Sequence, residues 1–128
     1  MVMATHVVVG RSENLADKVI AELARVGDES GWTVPRVARS GDRVLFYLLN
    51  PEGSFVAAGV LLSDAVPGVS DQGDGAYVAD VGQVAMLPRA VPRLEVVEKV
   101  PGWGWPRQPH TATTVPREHV PALMGALS

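Results

Sequence analysis

Residues 41–64, GDRVLFYLLNPEGSFVAAGVLLSD, form the stretch that decides the fold. Arg43–Leu49 is dense in apolar and aromatic residues, Asn50–Gly53 carries turn chemistry, and Ser54–Ser63 is a second apolar run. Two apolar runs joined by a tight turn predict a β-hairpin. Because the runs are apolar almost throughout, the hairpin should lie in the middle of the core. A group of small residues in the second run leaves room for another backbone to approach: Ala57, Ala58 and Gly59.

Further strands are predicted on both sides of this hairpin. The apolar and β-branched runs that predict them are Thr5–Val9, Tyr77–Leu87, Val91–Val97 and Thr111–Val115. Gly82 suggests a bulge, and Pro88 should end the strand that contains it. Polar, Gly-rich or Pro-rich composition predicts loops at Asp28–Arg39, Val66–Ala76 and Pro101–Pro109.

Two helices are predicted. Apolar residues recur at helical spacing over Glu13–Val26, with Ser12 as an N-cap and Gly27 at the C-terminal end. A terminal helix should cover Arg117–Leu127, with Pro121 disturbing its first turn. The order predicts a single α+β domain over residues 1–128. Its architecture would be a small, strongly bent sheet or pseudo-barrel of about five to six strands, with helices packed outside.

The composition narrows the class of protein. The 128 residues include no cysteine, so disulfide and thiolate chemistry are excluded. No run approaches the roughly 20 apolar residues that cross a bilayer, and no signal-peptide pattern opens the chain. We therefore expect a soluble, cytoplasmic protein with no membrane partner.

No pattern predicts catalysis. The three histidines, His6, His110 and His119, lack the spacing of a metal site, and His6 is expected to be a hydrogen-bonded core residue. Nucleophile, phosphate-loop and dinucleotide motifs are missing from the sequence. We expect no enzyme, no metal and no cofactor.

The three tryptophans lie in segments predicted to be loops: Trp32, Trp103 and Trp105. Loop tryptophans flanked by Gly and Pro suit a wall on which a planar ligand stacks, although they could also seal the end of the barrel. In the segment Trp103–Trp105, one ring should face inward and the other outward.

The net charge of −3 argues against a general polyanion binder, because such binding depends on clustered Lys and Arg. Nevertheless, nine of the eleven basic residues are arginines, which suit phosphate contacts. Three of them, Arg36, Arg39 and Arg43, lie within eight residues. A solvated surface of mixed charge is the alternative.

The order of motifs resembles that of YTH domains. The shared pattern comprises Gly10-Arg11-Ser12, a helix, Gly31-Trp32-Thr33 and the central hairpin. Gly41–Tyr47 is similar to the GDxVLFY motif of bacterial EVE domains, which belong to the same PUA-like superfamily. The strand that leads into Leu87-Pro88 is similar to an EVE strand as well.

The resemblance implies a pseudo-barrel whose pocket holds one modified nucleobase, flipped out of nucleic acid. It implies a modification-dependent restriction or defence system, with a nuclease as partner or as a fused domain. Because the sequence looks prokaryotic, the resemblance favours DNA over RNA as the nucleic acid. By motif position, the predicted pocket residues are Trp32, Thr33, Ser12, Asn14, Asp17, Tyr47, Tyr77, Trp103 and Trp105. The predicted backbone contacts are Arg11, Arg36, Arg39, Arg43 and Arg107.

One departure leaves the modification open. YTH domains take a second cage tryptophan from the loop after the hairpin, and Val66–Ala76 has none. Tyr77, Trp103 or Trp105 could supply that wall. The base could be N6-methyladenine, 5-methylcytosine or a hydroxymethylated base. Two other functions stay open: RNA binding without modification dependence, and binding of a small ligand or a protein.

Overall fold

The predicted hairpin is present in the computed structural model, which describes residues 3–10, 28–48, 53–70, 73–107 and 112–128. Its strands are β3, Arg43–Leu48, and β4, Ser54–Leu61, and they pair antiparallel. Gly53, which precedes β4, has a φ of +67°, a conformation that glycine adopts without strain. The rest of the predicted turn lies outside the described ranges.

A bulge in the hairpin decides which side chains share a face of the sheet. Phe46 pairs with Ala57, but the next residue, Tyr47, pairs with Phe55, so β4 carries Val56 as an extra residue. Because side chains alternate along a strand, this residue places Phe55 beside Tyr47 and Ala57 beside Phe46. The face that carries Phe46 is called the inner face, and the face that carries Tyr47 the outer face.

The hairpin is the centre of one sheet. Its other strands are β1, Thr5–Gly10; β2, Asp28–Val34; β5, Val66–Ser70; β6, Gly73–Pro92; and β7, Thr113–Thr114. The order is β2-β6-β4-β3-β1-β7, with β5 also paired to β6. Only the β1–β3 pair is parallel among the described pairs.

The sheet is strongly bent, as predicted. Because β2 also lies beside β1, the sheet curls into a nearly closed barrel. The α+β pseudo-barrel is therefore confirmed, with seven strands in its described part instead of five or six. The predicted helix Glu13–Val26 lies outside the described residues.

Two segments predicted to be loops are partly strands. β2 occupies the first part of Asp28–Arg39, and β5 occupies the first part of Val66–Ala76. Both pair antiparallel with β6. Their Gly-rich and polar composition gives little local preference for a strand, so the pairing with β6 imposes the extended conformation.

The predicted end of a strand at Pro88 is wrong. β6 continues through Pro88 to Pro92, because three extra residues of β6 bulge out between its pairings with Phe55 and Ala57. Pro88 fits such a bulge because proline has no backbone N–H group to pair with the neighbouring strand. A second bulge, of one extra residue, lies between the pairings of Val60 and Ala58, beside Gly82, and Gln83 there has a φ of +53°. The bulge predicted at Gly82 is thus confirmed.

The strand predicted at Val91–Val97 is also wrong beyond Pro92. Residues Arg93–Lys99 form a helix, α1. Pro92 has the extended conformation of an N-cap residue, and Glu95 and Lys99 form an ion pair one turn apart. The β-branched valines that favoured a strand pack this helix on the outer face instead.

The C-terminal segment agrees with the prediction. β7 lies within the predicted strand Thr111–Val115. A 3-10 turn, Arg117–His119, leads into helix α2, Val120–Leu127, with Pro121 in its first turn. Among the described residues, no helix is long and apolar enough to cross a membrane.

Hydrophobic residues are buried on both faces. The inner-face cluster includes Val8, Val34, Phe46, Leu48, Ala57, Ala79 and Val81. The outer-face cluster lies beneath α1 and α2 and includes Val7, Leu45, Tyr47, Phe55, Val96, Trp103 and Leu123. This burial on both sides explains why neither strand of the hairpin alternates with polar residues.

His6 is the hydrogen-bonded core residue that the sequence predicts. It is fully buried, and its Nε2–H donates to Asp42 Oδ2 at 2.7 Å. Its Nδ1 lies 2.9 Å from the hydroxyl oxygen of Thr114. The network joins β1, β7 and the residue before β3, so it stabilises one edge of the sheet.

Candidate functional site

Trp32 lies on the inner face of β2, not in a loop as predicted. Its ring is half-buried and contacts Phe46 edge-on, with 5.0 Å between ring centroids and an interplanar angle of 81°. The indole Nε1–H is buried, and among the described residues it has no hydrogen-bond partner. A buried donor without a partner is costly, so this atom marks a place where a polar ligand atom would be favoured.

Thr33 follows Trp32 but belongs to the other face of β2, because successive side chains of a strand alternate. Its hydroxyl is buried and has no partner among the described residues. The structure therefore does not bring the side chains of Thr33 and Trp32 to one face.

Tyr77 shares the inner face with Trp32. Val34 pairs with Tyr77 and Trp32 pairs with Ala79, so the two aromatic residues are diagonal neighbours on β2 and β6. The guanidinium carbon of Arg36 lies 6.0 Å from the centre of the Tyr77 ring. This distance is at the outer limit of a cation–π contact and keeps a positive charge beside the two rings.

The other aromatic residues predicted for the pocket lie on the outer face. Tyr47 contacts Phe55 and Trp105 edge-on, with centroid distances of 5.0 and 5.2 Å. Burial raises the pKa of Tyr47, and the nearby Arg93 guanidinium opposes part of that rise. The sheet thus separates Tyr47 and Trp105 from Trp32.

Trp103 and Trp105 do not face opposite ways, as the sequence suggested. Their rings are stacked, with centroids 5.6 Å apart and an interplanar angle of 16°. The Gly104 between them and the 3-10 turn Trp105–Arg107 bring both rings to the same side. Trp103 is only 4% exposed, so it belongs to the outer core.

The basic residues divide in the same way. Arg36 and Arg39 are exposed in the connection between β2 and β3, directly after the strand that carries Trp32. Arg43 is half-buried at the start of β3. Arg107 is exposed in the 3-10 turn that packs with α1. The structure therefore places Arg36 beside Tyr77 and Arg39 in the same connection, whereas Arg107 lies with α1.

Four predicted site residues lie in the segment 11–27, outside the described ranges: Arg11, Ser12, Asn14 and Asp17. In the described part of the chain, no group of three or more His, Asp or Glu side chains could hold a metal ion.

The carboxylate of Asp42 is committed to the fold. Burial raises its pKa. The hydrogen bonds from His6 and from the backbone N–H groups of Arg39 and Ala4 together lower the pKa by more than burial raises it, so the pKa lies below its usual value. The connection that carries Arg36 and Arg39 is therefore anchored to the sheet through Asp42.

Two residues that the sequence analysis did not select, Ser54 and Met86, also lie on the inner face. Ser54 pairs with the inner-face residue Leu48, and Met86 pairs with the inner-face residue Ala57, so both share the face of Trp32. Neither residue carries a local motif, and the bulges in β4 and β6 set their faces. Their position on the inner face follows only from the register of the paired strands.

No protein-family model matches the chain, and no curated protein matches it significantly. Solved structures do. A protein from Pseudomonas syringae is similar over 98% of this chain and 100% of its own, with a TM-score of 0.74 and 15% identity.

Two human structures are similar as well. THYN1 in complex with DNA that contains 5-methylcytosine matches with a TM-score of 0.66 and 13% identity, over 98% of both chains. The DUF55 domain of human thymocyte nuclear protein 1 matches with a TM-score of 0.53 and 15% identity, over 71% of this chain and 70% of that one. At such low identity the likeness establishes only that this chain shares the fold of these proteins.

Proposed function

We propose that the chain is a non-catalytic reader of a modified nucleobase in DNA, with 5-methylcytosine as the first candidate. The observation that carries the proposal is Trp32, which combines a half-buried ring on the inner face with an Nε1–H that lacks a partner among the described residues. A base needs a flat surface for its ring and a polar group for its edge, and Trp32 offers both.

The base would have to leave the double helix to reach this face. Inside a duplex both faces of a base are covered by its neighbours, whereas the Trp32 ring lies within the curved sheet against Phe46. Recognition by Trp32 therefore implies a flipped base or a single strand.

The charge beside Trp32 supports DNA as the partner. Arg36 and Arg39 follow β2 directly and are exposed, so they could contact phosphates next to the base bound at Trp32. Arginine suits this role because its guanidinium donates two parallel hydrogen bonds to one phosphate.

The choice of 5-methylcytosine rests on the shared fold, since human THYN1 has that fold and was solved with DNA containing this base. N6-methyladenine and 5-hydroxymethylcytosine are the alternatives to be tested beside it. In this proposal the chain does not alter the base, so any cleavage coupled to recognition would require a nuclease partner or a fused nuclease domain.

The test is a binding titration monitored by fluorescence anisotropy. Labelled 12-mers would carry cytosine, 5-methylcytosine, 5-hydroxymethylcytosine, adenine or N6-methyladenine at one central position, as single strands and as duplexes. Tighter binding to one modified base supports the reader. Equal binding to all oligonucleotides, or none at low salt, would refute it.

A substitution at Trp32 makes the proposal specific to this site. Stacking of a base on an aromatic side chain contributes about 1–3 kcal/mol, so Trp32→Ala should weaken binding about 5- to 150-fold. Trp32→Phe should retain part of the affinity. Trp105→Ala is the matched control, because Trp105 is also half-buried but lies on the outer face. Equal losses in Trp32→Ala and Trp105→Ala, measured on folded proteins, would place the site elsewhere.

A further inference from the structure

We infer that Ser54 and Met86 complete the base site on the inner face, with Ser54 contacting the polar edge of the base and Met86 covering its free face. The inference rests on the proposed function, because it assigns residues to the same site. It also proposes a side chain opposite Trp32, since Trp103 and Trp105 lie on the outer face and Tyr77 lies beside Trp32 in the same sheet.

Ser54 carries the first observation. The residue is only 5% exposed, and its hydroxyl has no hydrogen-bond partner among the described residues. A hydroxyl buried in this way costs stability unless a partner reaches it. Ser54 and Trp32 are thus two polar groups without partners in the described part of the chain, and both belong to one face of the sheet.

The strand register shows that Phe46 lies between Trp32 and Ser54 on the inner face. Ser54 pairs with Leu48, which lies two residues after Phe46 on β3 and on the same face. Trp32 contacts Phe46. Phe46 therefore lies between the two polar groups, and its ring is apolar and fully buried in the core.

Met86 carries the second observation. It pairs with Ala57, the partner of Phe46, and so belongs to the inner face. Yet Met86 is 50% exposed, whereas Phe46 and Ala57 are fully buried. An apolar side chain that is half-exposed on an otherwise buried face has room for a partner.

The chemistry of a thioether suits that partner. Methionine is flexible and polarizable, and its sulfur makes favourable contacts with aromatic rings. A nucleobase stacked on Trp32 would have Met86 as its second apolar neighbour. Its hydrogen-bonding edge would meet the hydroxyl of Ser54, which can both donate and accept.

Ser54→Ala separates a binding role from a structural one. If the hydroxyl serves only a ligand, its removal relieves an unsatisfied buried group, and the melting temperature of the free protein should stay the same or rise. Affinity for the 5-methylcytosine 12-mer should fall about threefold to tenfold. Ser128→Ala, at an exposed serine that follows α2, is the control that should leave the affinity unchanged.

Met86 is tested by a pair of variants. Met86→Ala should weaken binding to the same 12-mer about threefold or more, because it removes apolar contact area, whereas Met86→Leu conserves volume and should lose less affinity, because only the contact of the sulfur with the base is removed. Leu94→Ala is the matched control, since Leu94 is 62% exposed on α1. The site assignment would be overturned if Met86→Ala and Leu94→Ala bound equally well.

The outcomes distinguish this inference from the proposed function. If the wild type prefers a modified base and Ser54→Ala and Met86→Ala keep the wild-type affinity, the reader stands and the two residues do not belong to its site. If the wild type binds none of the 12-mers, the proposed function and this inference fail together.

Discussion

At the scale of single residues, the polar groups buried in the sheet divide into two kinds. His6 and Asp42 have hydrogen-bond partners and stabilise the fold, whereas Trp32 Nε1, Thr33 Oγ1 and Ser54 Oγ have none among the described residues. Native proteins rarely leave buried polar atoms without partners. Under the proposed function, a bound base supplies the partners of Trp32 and Ser54 on the inner face, whereas Thr33 lies on the other face.

The first prediction at this scale concerns acid stability. Because the pKa of Asp42 is lower in the folded protein, its contribution is complete above the unfolded value of 3.8 and is lost as pH falls through the folded pKa. Asp42→Asn should therefore reduce the free energy of unfolding by about 1–3 kcal/mol at pH 7 and by less at pH 3. Urea denaturation of both proteins at the two pH values measures the difference.

The control for this prediction is Glu98→Gln, which changes an exposed carboxylate. Glu95, whose pKa is lowered to about 2 by its hydrogen bonds with Arg89 and Lys99, is unchanged in every variant and cancels in the comparison. A wild-type-minus-variant difference that stayed constant from pH 7 to pH 3 would show that Asp42 acts through packing alone.

The sequence alone identified some of these residues. His6 was predicted correctly because a histidine inside a β-branched strand has few other roles. Trp32 was selected for its aromatic ring, yet its strand was missed. Ser54 was not selected, because nothing in the neighbouring residues indicates that its hydroxyl lacks a partner.

At the scale of elements, the contact between β4 and β6 depends on glycine. A Cβ atom added to Gly59 would lie 3.0 Å from the carbonyl oxygen of Gly82 and 3.1 Å from Cγ2 of Val84. Both contacts are tighter than ordinary packing, and one of them is to backbone, which yields little. The sequence anticipated this approach from the run of small residues at 57–59.

Gly59→Ala should therefore destabilise the protein by about 1–3 kcal/mol. The matched control is Gly125→Ala in α2, where an added Cβ meets nothing within 4 Å. That variant should stabilise the protein by roughly 0.5–1 kcal/mol, because alanine favours a helix over glycine. Urea denaturation of the two variants and the wild type measures both changes in the free energy of unfolding. A stable Gly59→Ala protein would mean that β6 can move away from β4.

The bulges explain most of what the sequence could not show for the elements. Each extra residue in β4 or β6 exchanges the faces of all residues beyond it, and no local pattern shows where the exchange occurs. Pro88 illustrates the point: it resembles the end of a strand but lies where β6 bulges.

At the scale of the whole molecule, the position of the exposed charges says more about the binding partner than the net charge does. The net charge of −3 disfavours polyanions, but Arg36 and Arg39 are exposed together beside the strand of Trp32. A small basic surface next to an aromatic ring fits a base with its flanking phosphates, without requiring a basic protein.

Arg36→Ala should weaken binding to modified and unmodified 12-mers by the same factor. It should also reduce the slope of log K against log salt by about 0.7–0.9 if the guanidinium neutralises one phosphate. Arg117→Ala, at an exposed arginine of the 3-10 turn before α2, is the control and should leave the slope unchanged. An unchanged slope in Arg36→Ala would remove Arg36 from the DNA contact.

The fold of the whole molecule was predictable from order and spacing. The central hairpin, the first strand and the terminal helix agreed with the structure, and together they indicated a small α+β pseudo-barrel. The separation of the aromatic residues onto two faces was not predictable, because it depends on which strands pair and in which register.

The pairing of β1 with β7 has a consequence for synthesis of the chain. His6 and Thr114, which join these strands, are 108 residues apart, so β1 leaves the ribosome long before its second neighbour exists. During that interval one edge of β1 is open to other extended chains. The nascent protein should therefore need either chaperone protection or rapid completion, and ribosome stalling before residue 113 should favour aggregation.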